Sequence, residues 1–352
     1  MKPSNYSPDT KFTSKPLLLL LPVLACLSNG LQAQAENQTE AGNTARELCL
    51  ARLVVDASPE TTVEQLRERC DQLIAEGDIS VIAEDQEVGS MALREVVETA
   101  SSNSPFIMSG HRANYLLPFV YLEDPNSRPF INTPEDGKLD HSEVHFQISV
   151  KAPIREDVLL DGDSFWIAYT MRAFWQAYNG ENSRPFRETN HEPEFIWETK
   201  SSLDWFGFDN VFNQVSLNHQ SNGRSGDFSR SWNRIMFTSA WERKKMSLVA
   251  SYWERLRNES SLDENPGIET YICNVQLVSS YAFTPRHRAT LMLRGNPVEG
   301  KGATELTWSF PLLGTQKIRG MVKYFDGYGE SLLDYDSRTR SIGLGFMVTD
   351  WY

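Results

Sequence analysis

An alternation of apolar and polar residues with a period of two runs through this chain from about residue 109 to its end. In the last segment Ile342, Leu344, Phe346 and Val348 fall on one face, and the residues between them fall on the other. Side chains alternate between two faces in a β-strand but not in an α-helix, so the pattern favours strands. A chain with many such segments folds as a β-sandwich or as a closed barrel.

About twelve segments show this pattern, and Asp, Asn, Gly and Pro occupy the connections between them. The predicted strands cover residues 110–121, 144–151, 165–175, 192–200, 209–221, 229–242, 246–256, 269–283, 287–295, 302–311, 317–327 and 340–352. An even number of strands is typical of bacterial outer-membrane barrels. The chain also ends on Trp351 and Tyr352, and a last strand that ends in an aromatic residue resembles the terminal signature of such barrels.

Charged residues inside the predicted strands favour a barrel over a soluble sandwich. They include Lys151, Arg172, Arg234, Glu242 and Lys323. A sandwich core tolerates few unpaired charges, whereas a small barrel can pair them in its lumen. Aromatic residues near strand ends would form interfacial girdles, namely Trp166, Trp197, Tyr252, Trp308 and Tyr352. We predict an all-β fold, a twelve-stranded antiparallel transmembrane β-barrel, with a soluble all-β domain as the alternative.

The first 35 residues have the features of an export signal. Lys2, Lys11 and Lys15 precede an apolar segment at residues 17–27, and residues 33–35 read Ala-Gln-Ala, a typical cleavage site. The apolar segment is too short to span a bilayer as a helix, and a lipoprotein site at Cys26 is a weaker alternative. Removal of residues 1–35 takes away a net charge of +2 from the formal −13 and leaves about −15. This acidic balance argues against a nucleic-acid partner.

Residues 36–108 differ in composition from the rest, since they are rich in Glu, Ala, Thr and Ser and poor in aromatic residues. We predict that they form a short N-terminal periplasmic extension and that residues 109–352 form the barrel. One helix is expected to open near Thr61 and Thr62. In an oxidising compartment a local disulfide between Cys49 and Cys70 is the expected pairing, and Cys273 is left over. Two unrelated thiols are the alternative.

Residues 218–234 carry the side chains with the clearest chemical potential. His219 and Ser221 lie two apart on one strand and therefore share a face, which also carries Val215 and Leu217. On the next strand Asn233 likewise shares an apolar face. A serine becomes a nucleophile when an imidazole removes its proton, and a third group holds that imidazole in place. A hairpin could bring the three polar residues together on the surface that faces lipid.

The whole segment resembles the active-site signature of the outer-membrane phospholipase A family, N-H-x-S-N-G-R-S followed by S-R-S-W-N-R. The matching residues are 218–225 and 229–234, and residues 183–190 and 327–335 resemble two further family segments. The resemblance covers about residues 110 to 352. It implies a barrel of the cell outer membrane that hydrolyses sn-1 and sn-2 acyl esters of phospholipids and lysophospholipids. It further implies Ca²⁺ as cofactor and activation by formation of a homodimer.

The resemblance also assigns roles by position. Ser221 corresponds to the nucleophile, His219 to the general base and Asn233 to the residue that orients the base. The backbone N–H of Gly223 would donate to the oxyanion, with help from calcium.

The calcium ligands implied by the resemblance are the carbonyl of Arg224, the hydroxyl of Ser229 and, across the dimer, the hydroxyl of the partner subunit's Ser183. Oxygen ligands of this kind suit a hard cation. A family aspartate in the loop after the seventh strand corresponds to Glu264, which keeps the charge but changes the reach. Met171 stands where family members can place a glutamine for dimer contact, so the dimer interface is expected to differ.

The histidines His111, His145, His191 and His287 show no ligand spacing, and no role is predicted for them. Two other functions compete with the phospholipase. A passive pore or structural barrel would leave His219 and Ser221 as incidental rim residues, and a secreted soluble esterase would use a β-sandwich.

Overall fold

A computed structural model of the chain divides into two compact units, Met1–Asp85 and Gln86–Tyr352. The residues that the structure describes are 49–50, 53–54, 57, 61–75, 91, 108–131, 139–181, 185–257, 263–284, 287–296, 299–312 and 315–349. The predicted export signal, residues 1–35, lies outside them. Within the described ranges no helix has both the length and the apolar character needed to cross a membrane.

The first unit contains helix α1, Val63–Ala75. Its start is fixed by a reciprocal cap, because the backbone N–H of Gln65 donates to Thr62 Oγ1 (3.3 Å) and the backbone N–H of Thr62 donates to Gln65 Oε1 (2.9 Å). A disulfide joins Cys49 to Cys70, and both residues are fully buried. The predicted bridge is therefore confirmed, and Cys273 is the free cysteine of the described residues.

The second unit is built from twelve long antiparallel strands. They are β1 (Asn114–Leu122), β2 (Ser142–Glu156), β3 (Ser164–Trp175), β4 (Phe186–Thr199), β5 (Phe208–Ser221), β6 (Ser231–Arg243), β7 (Met246–Leu256), β8 (Val275–Thr284), β9 (His287–Asn296), β10 (Lys301–Leu312), β11 (Thr315–Tyr328) and β12 (Arg338–Thr349). Each strand pairs with the next, and β12 pairs back to β1, which closes the barrel. Two-residue strands at Ser109–Gly110 and Asp204–Trp205 add to β2 and β5. The predicted fold is confirmed.

Several predicted strand boundaries differ from the structure, for example the end of β2, which runs to Glu156 rather than to 151, and two of the differences have clear physical reasons. Residues 269–283 do not form one strand, because a short helix α2, Ile268–Ile272, precedes β8. Ile268 and Ile272 lie one helical turn apart and are both buried in a cluster with Trp232 and Trp253. Strand β4 begins at residue 186 rather than 192, because its first inward residues are polar and give no apolar alternation. Residues 351–352, the predicted aromatic terminus, lie outside the described residues.

The two faces of the barrel wall differ in the way the alternation predicts. Apolar side chains such as Leu217, Phe237 and Leu344 are exposed to 54%, 44% and 52% on the outside. The predicted lumenal Lys151, Arg234, Glu242 and Lys323 are buried. Exposed apolar surface around a whole barrel fits a lipid environment rather than water, so the sandwich alternative is wrong.

Trp166 does not belong to the interfacial girdle that the sequence predicted. It is buried, and the ammonium group of Lys151 lies over its ring at 4.2 Å from the centroid. Its even position on β3 turns it into the lumen, where it shields a buried cation. Tyr252 and Trp308, by contrast, are exposed as predicted.

Ion pairs fill much of the lumen. Arg187 Nε lies 2.5 Å from Glu143 Oε1, and the same guanidinium also pairs with Asp334. His145 Nε2 lies 2.8 Å from the other oxygen of Glu143. These four side chains are almost completely buried, so each buried charge is compensated by a partner. A cavity of about 230 Å³ lies among the described lumenal side chains.

Candidate active site

His219 and Asn233 form the centre of the candidate site. They lie directly opposite each other on β5 and β6, and His219 Nδ1 is 2.8 Å from Asn233 Oδ1. An amide oxygen can only accept a hydrogen bond, so Nδ1 carries the proton and donates. In the neutral imidazole this leaves the lone pair on Nε2. The cross-strand contact therefore prepares His219 to act as a base through Nε2.

Ser221 lies two residues beyond His219 on the same outward face of β5. Its hydroxyl makes no hydrogen bond to another described residue. The structure thus brings His219 and Asn233 into contact and places Ser221 beside them without a hydrogen bond to the base. In ligand-free enzymes the bond between nucleophile and base is often long and tightens only when substrate binds.

The residues that alternate with the outward polar groups face the lumen and link β5 to β6 there. Asn218 and Arg234 are register partners that face the lumen, and Arg234 Nε donates to Asn218 Oδ1 at 3.0 Å. Both also reach Glu192 of β4, through Arg234 Nη2 at 2.8 Å and Asn218 Nδ2 at 2.9 Å. Three strands are therefore tied together directly behind the outward groups, which explains the asparagine and arginine of the signature.

The loop between β5 and β6 is organised by Asn222. Its Oδ1 accepts from the backbone N–H groups of Arg224 (3.2 Å) and Arg230 (3.0 Å), and its Nδ2 donates to the carbonyl of Phe228 (2.8 Å). Gly223 has a φ of +65°, which a residue with a side chain rarely adopts. Gly223 is exposed and lies two residues after Ser221.

Two of the predicted calcium ligands are in contact. Ser229 Oγ donates to Glu264 Oε1 at 2.8 Å, and Ser231 Oγ donates to the other carboxylate oxygen at 2.7 Å. The side chain of Arg224 is held at the start of β4, because its Nη2 donates to the carbonyls of Phe186 (2.9 Å) and Arg187 (2.8 Å). Ser183 lies outside the described residues.

The predicted ligands fit calcium in their chemistry, since they are hydroxyl, carbonyl and carboxylate oxygens, and the structure brings the hydroxyl of Ser229 and the carboxylate of Glu264 into contact. No group of three or more His, Cys, Asp or Glu side chains forms a metal cluster within the ranges that the structure describes. Asp263 adds a second carboxylate close in sequence to Glu264. Partial burial opposes its ionisation, but hydrogen bonds from Arg255 and from the backbone N–H of Asn265 hold the pKa of Asp263 below its ordinary value.

Sequence reasoning missed His191. This residue is the register partner of Ser221 on β4, and the hydroxyl of Tyr169 lies 2.6 Å from its Nδ1. The period-two pattern could have identified it, because His191 shares the outward face of β4 with the apolar Phe195. A polar side chain on a lipid-facing surface is costly and points to function. Met171, the predicted dimer-contact residue, is the register partner of His191 on the other side.

Comparison with known proteins agrees with this geometry. The chain matches the family profile described as Phospholipase A1 over residues 92–348. It is 35% identical over 249 residues to a putative phospholipase A1 of Neisseria meningitidis serogroup B, a match that covers 68% of this chain and 65% of that protein, less than two thirds of its length. It is 31% identical over 252 residues to phospholipase A1 of Escherichia coli strain K12, covering 71% of this chain and 84% of the relative.

Two solved structures resemble the barrel. Outer membrane phospholipase A from Escherichia coli superposes with a TM-score of 0.67 at 30% identity, covering 71% of this chain and 95% of that one. The Salmonella typhi outer membrane phospholipase, solved as a dimer with bound calcium, gives the same TM-score and coverage at 29% identity. The family match over most of the chain and the shared barrel agree with the resemblance seen in the sequence. This chain therefore belongs to the outer-membrane phospholipase A family, whose profile is described as Phospholipase A1.

Proposed function

We propose that this protein is a calcium-dependent phospholipase A of the outer membrane. It hydrolyses sn-1 and sn-2 acyl esters of phospholipids and lysophospholipids with a Ser221–His219–Asn233 triad on the lipid-facing surface of the barrel. The observation that carries the proposal is the hydrogen bond between His219 and Asn233, with Ser221 on the same outward face. The family relationship supports ester hydrolysis as the chemistry of this site.

The chain's own residues account for the acylation step. His219 Nε2 takes the proton of the Ser221 hydroxyl while Oγ forms a bond to the ester carbonyl carbon. The π electron pair of the carbonyl moves onto its oxygen, and the backbone N–H of Gly223 donates to that oxyanion. When the intermediate collapses, the bond from carbon to the glycerol oxygen breaks. His219 then returns the proton to this leaving oxygen, and a lysophospholipid departs.

Deacylation repeats the same proton movements with water in place of the serine hydroxyl. His219 takes a proton from the water, whose oxygen bonds to the acyl carbon, and returns it to Ser221 Oγ as the fatty acid leaves. Asn233 keeps the imidazole in one tautomer in both halves of the reaction. A neutral amide stabilises the imidazolium less than a carboxylate would, which makes positioning its main contribution.

The Arg224 carbonyl, Ser229 and Glu264 would hold calcium beside this site. Calcium, when bound, supplies positive charge close to the developing oxyanion, an effect of several kcal/mol in a water-poor site. The contact between Ser229 and Glu264 supports the assignment, and so does the calcium bound in the Salmonella typhi relative.

Activation by a homodimer is the regulatory part of the proposal. The Salmonella typhi relative was solved as a dimer, and the partner subunit's Ser183 would complete the calcium site. An enzyme whose site faces the membrane that contains it needs such control, because an always-active monomer would digest its own surroundings. The predicted export signal at residues 1–35 and the acidic charge of the chain are consistent with delivery to the outer membrane.

The experiment that tests the proposal is an assay of fatty-acid release from phospholipid by the purified protein in detergent, with calcium or with a chelator. We expect release with calcium and none with the chelator. Ser221→Ala is expected to lower kcat by about 10⁴-fold or more, since a serine nucleophile has no substitute in this chemistry. Ser239→Ala, on the outward face of β6 near its other end, is the matched control and is expected to keep wild-type activity.

Three outcomes would count against parts of this assignment. Fatty-acid release that is unchanged by the chelator would contradict the role of calcium. An active Ser221→Ala variant would contradict the assignment of Ser221 as the nucleophile. Ion conductance in planar bilayers without ester cleavage would favour the passive pore.

A further inference from the structure

His191 and Tyr169 form a polar pair beside the candidate nucleophile that the triad does not use. The phenol oxygen of Tyr169 lies 2.6 Å from His191 Nδ1, and the two rings stack with centroids 6.2 Å apart. Tyr169 is 40% exposed on the outward face of β3. Among the described residues it is the hydrogen-bond partner of the His191 ring. Two polar side chains on a lipid-facing surface require a function or a partner to offset their cost.

The pair fixes which nitrogen of His191 remains available. A phenol hydroxyl donates more strongly than a neutral imidazole N–H, and an imidazole nitrogen accepts more strongly than a phenol oxygen. Tyr169 therefore donates to Nδ1, which leaves the proton of the neutral ring on Nε2. The Cδ2–Nε2 edge of the ring faces the loop between β5 and β6. His191 Cδ2 lies 3.9 Å from the place that a Cβ on Gly223 would take.

The register places His191 on one side of β5 and Asn233 on the other, and the ring of the base His219, which lies on β5 with Ser221, is hydrogen-bonded to Asn233. On β5, Ser221 lies between His191 of β4 and Ser231 of β6. The partner of the base, Asn233, lies on β6. A serine hydrolase needs its general base on one side of the attacked carbonyl and its oxyanion donors on the other. A hydrogen-bond donor to the oxyanion is therefore expected on the β4 side of Ser221, where His191 lies next to Gly223.

We propose that His191 is a catalytic residue whose Nε2–H donates a hydrogen bond to the carbonyl oxygen of the scissile ester, and that Tyr169 is the positioning residue that orients it. The inference rests on the proposed function and deepens it. As the Ser221 Oγ–carbon bond forms, the carbonyl π pair moves onto oxygen and the serine proton moves to His219. His191 transfers no proton in this step, because its N–H only strengthens a hydrogen bond to the growing negative charge.

Three variants test the proposal in the fatty-acid assay, with calcium present throughout. His191→Phe removes the donor but keeps an apolar outward side chain, and we expect kcat to fall by about 10² and KM to change little, as for loss of one oxyanion donor. His191→Gln restores an N–H donor and is expected to recover part of that loss. Tyr169→Phe is expected to lower kcat by about 3- to 10-fold, a smaller effect because the donor itself remains.

The matched control is His287→Phe. His287 lies at the start of β9, and its ring stacks on Trp308 at a centroid distance of 5.9 Å, away from β4 and β5. It is expected to keep wild-type kcat. Resistance of the folded barrel to detergent at room temperature, read as a heat-dependent shift in gel mobility, shows that each variant is folded.

A second substrate separates a carbonyl contact from a contact with the lipid phosphate. With a monoacyl p-nitrophenyl ester, which has no phosphate, His191→Phe is expected to lose the same factor in kcat as with phospholipid. A loss confined to phospholipid would overturn the carbonyl assignment. If the wild type hydrolyses ester and Ser221→Ala does not, while His191→Phe matches His287→Phe, this inference alone fails. An inactive wild type or an active Ser221→Ala variant would instead overturn the proposed function.

Discussion

The two faces of the β5–β6 hairpin carry polar residues that differ in burial and in the number of their hydrogen bonds. On the lumenal face Asn218 and Arg234 are buried, and each hydrogen-bonds to the other and to Glu192. On the outward face His219 and Asn233 have each other as their side-chain hydrogen-bond partner among the described residues, and Ser221 lies next to them on β5. The two sets alternate along the same strands, so one register serves both.

This difference supports the proposal that one hairpin carries both a rigid frame and the reactive site. A buried charge is stable only with partners, so the lumenal groups are committed to structure. Within the part of the chain that the structure describes, Nε2 of His219 and the hydroxyl of Ser221 have no hydrogen-bond partner, and in the proposed mechanism both act on the substrate. Substitutions on the lumenal face should therefore change stability first, and those on the outward face should change activity first.

The largest effect on the lumenal side is expected for Arg234→Met. The substitution removes the hydrogen bonds to Asn218 and Glu192 and leaves Glu192 with less compensation in the lumen. We expect the free energy of unfolding to fall by about 3 kcal/mol, the lower end of the range for a buried ion pair that loses one partner, because Glu192 keeps its ion pair with Arg112. Denaturant titration of the barrel in lipid vesicles measures this change.

Arg338→Met is the matched control for this substitution. Arg338 pairs with Asp326 at 2.8 Å, but its side chain is 60% exposed. The loss of such a surface pair is expected to cost less than about 1 kcal/mol. Equal destabilisation by the two variants would contradict the view that the lumenal network holds the hairpin from behind.

On the outward face Asn233→Ala is expected to lower activity and to leave stability nearly unchanged. It removes the acceptor of the His219 Nδ1–H bond, so the imidazole loses its fixed tautomer and orientation. We expect kcat to fall by about 10²-fold, or about 2.7 kcal/mol in the barrier, with little change in unfolding free energy. Asn213→Ala is the control, since Asn213 lies on the same strand pair and accepts from Ser239 at 2.7 Å. Similar kinetics for the two variants would show that Asn233 does not orient the base.

Much of the fold was predictable because the alternation of residues carries it. The twelve strands and the closed sheet follow from period two and from charges that recur at lumenal positions. The strand prediction failed where inward-facing residues are polar, because their burial depends on partners in other strands. The start of β4 is polar on its inward face because Arg187 pairs with Glu143 there, and no single-strand pattern reveals a partner that is distant in the sequence.

The site divides in the same way. His219 and Ser221 could be placed on one surface from their spacing, because two residues along a strand return to the same face, and a hairpin could add Asn233 from the next strand. The register of β4 against β5 could not be predicted, and that register is what brings His191 beside Ser221. The pairing of Ser229 with Glu264 likewise depends on the loop that precedes α2, whose course is set by burial of Ile268 and Ile272.

The smallest effect, and the sharpest test of the outward site, is expected for Glu264→Gln. An amide keeps hydrogen-bonding capacity towards Ser229 and Ser231 but loses the charge that attracts calcium. We expect the calcium concentration for half-maximal activity to rise by about 10-fold, equivalent to about 1.4 kcal/mol, while kcat at saturating calcium stays near the wild-type value. Asp263→Asn is the control, because Asp263 directs its carboxylate to Arg255 at 2.5 Å rather than to Ser229. Fatty-acid release during a calcium titration separates the two variants, and an equal shift in both would mean that Glu264 contributes only general negative charge. A shift confined to Glu264→Gln would show that the glutamate, despite its longer side chain, fills the place that the family gives to an aspartate.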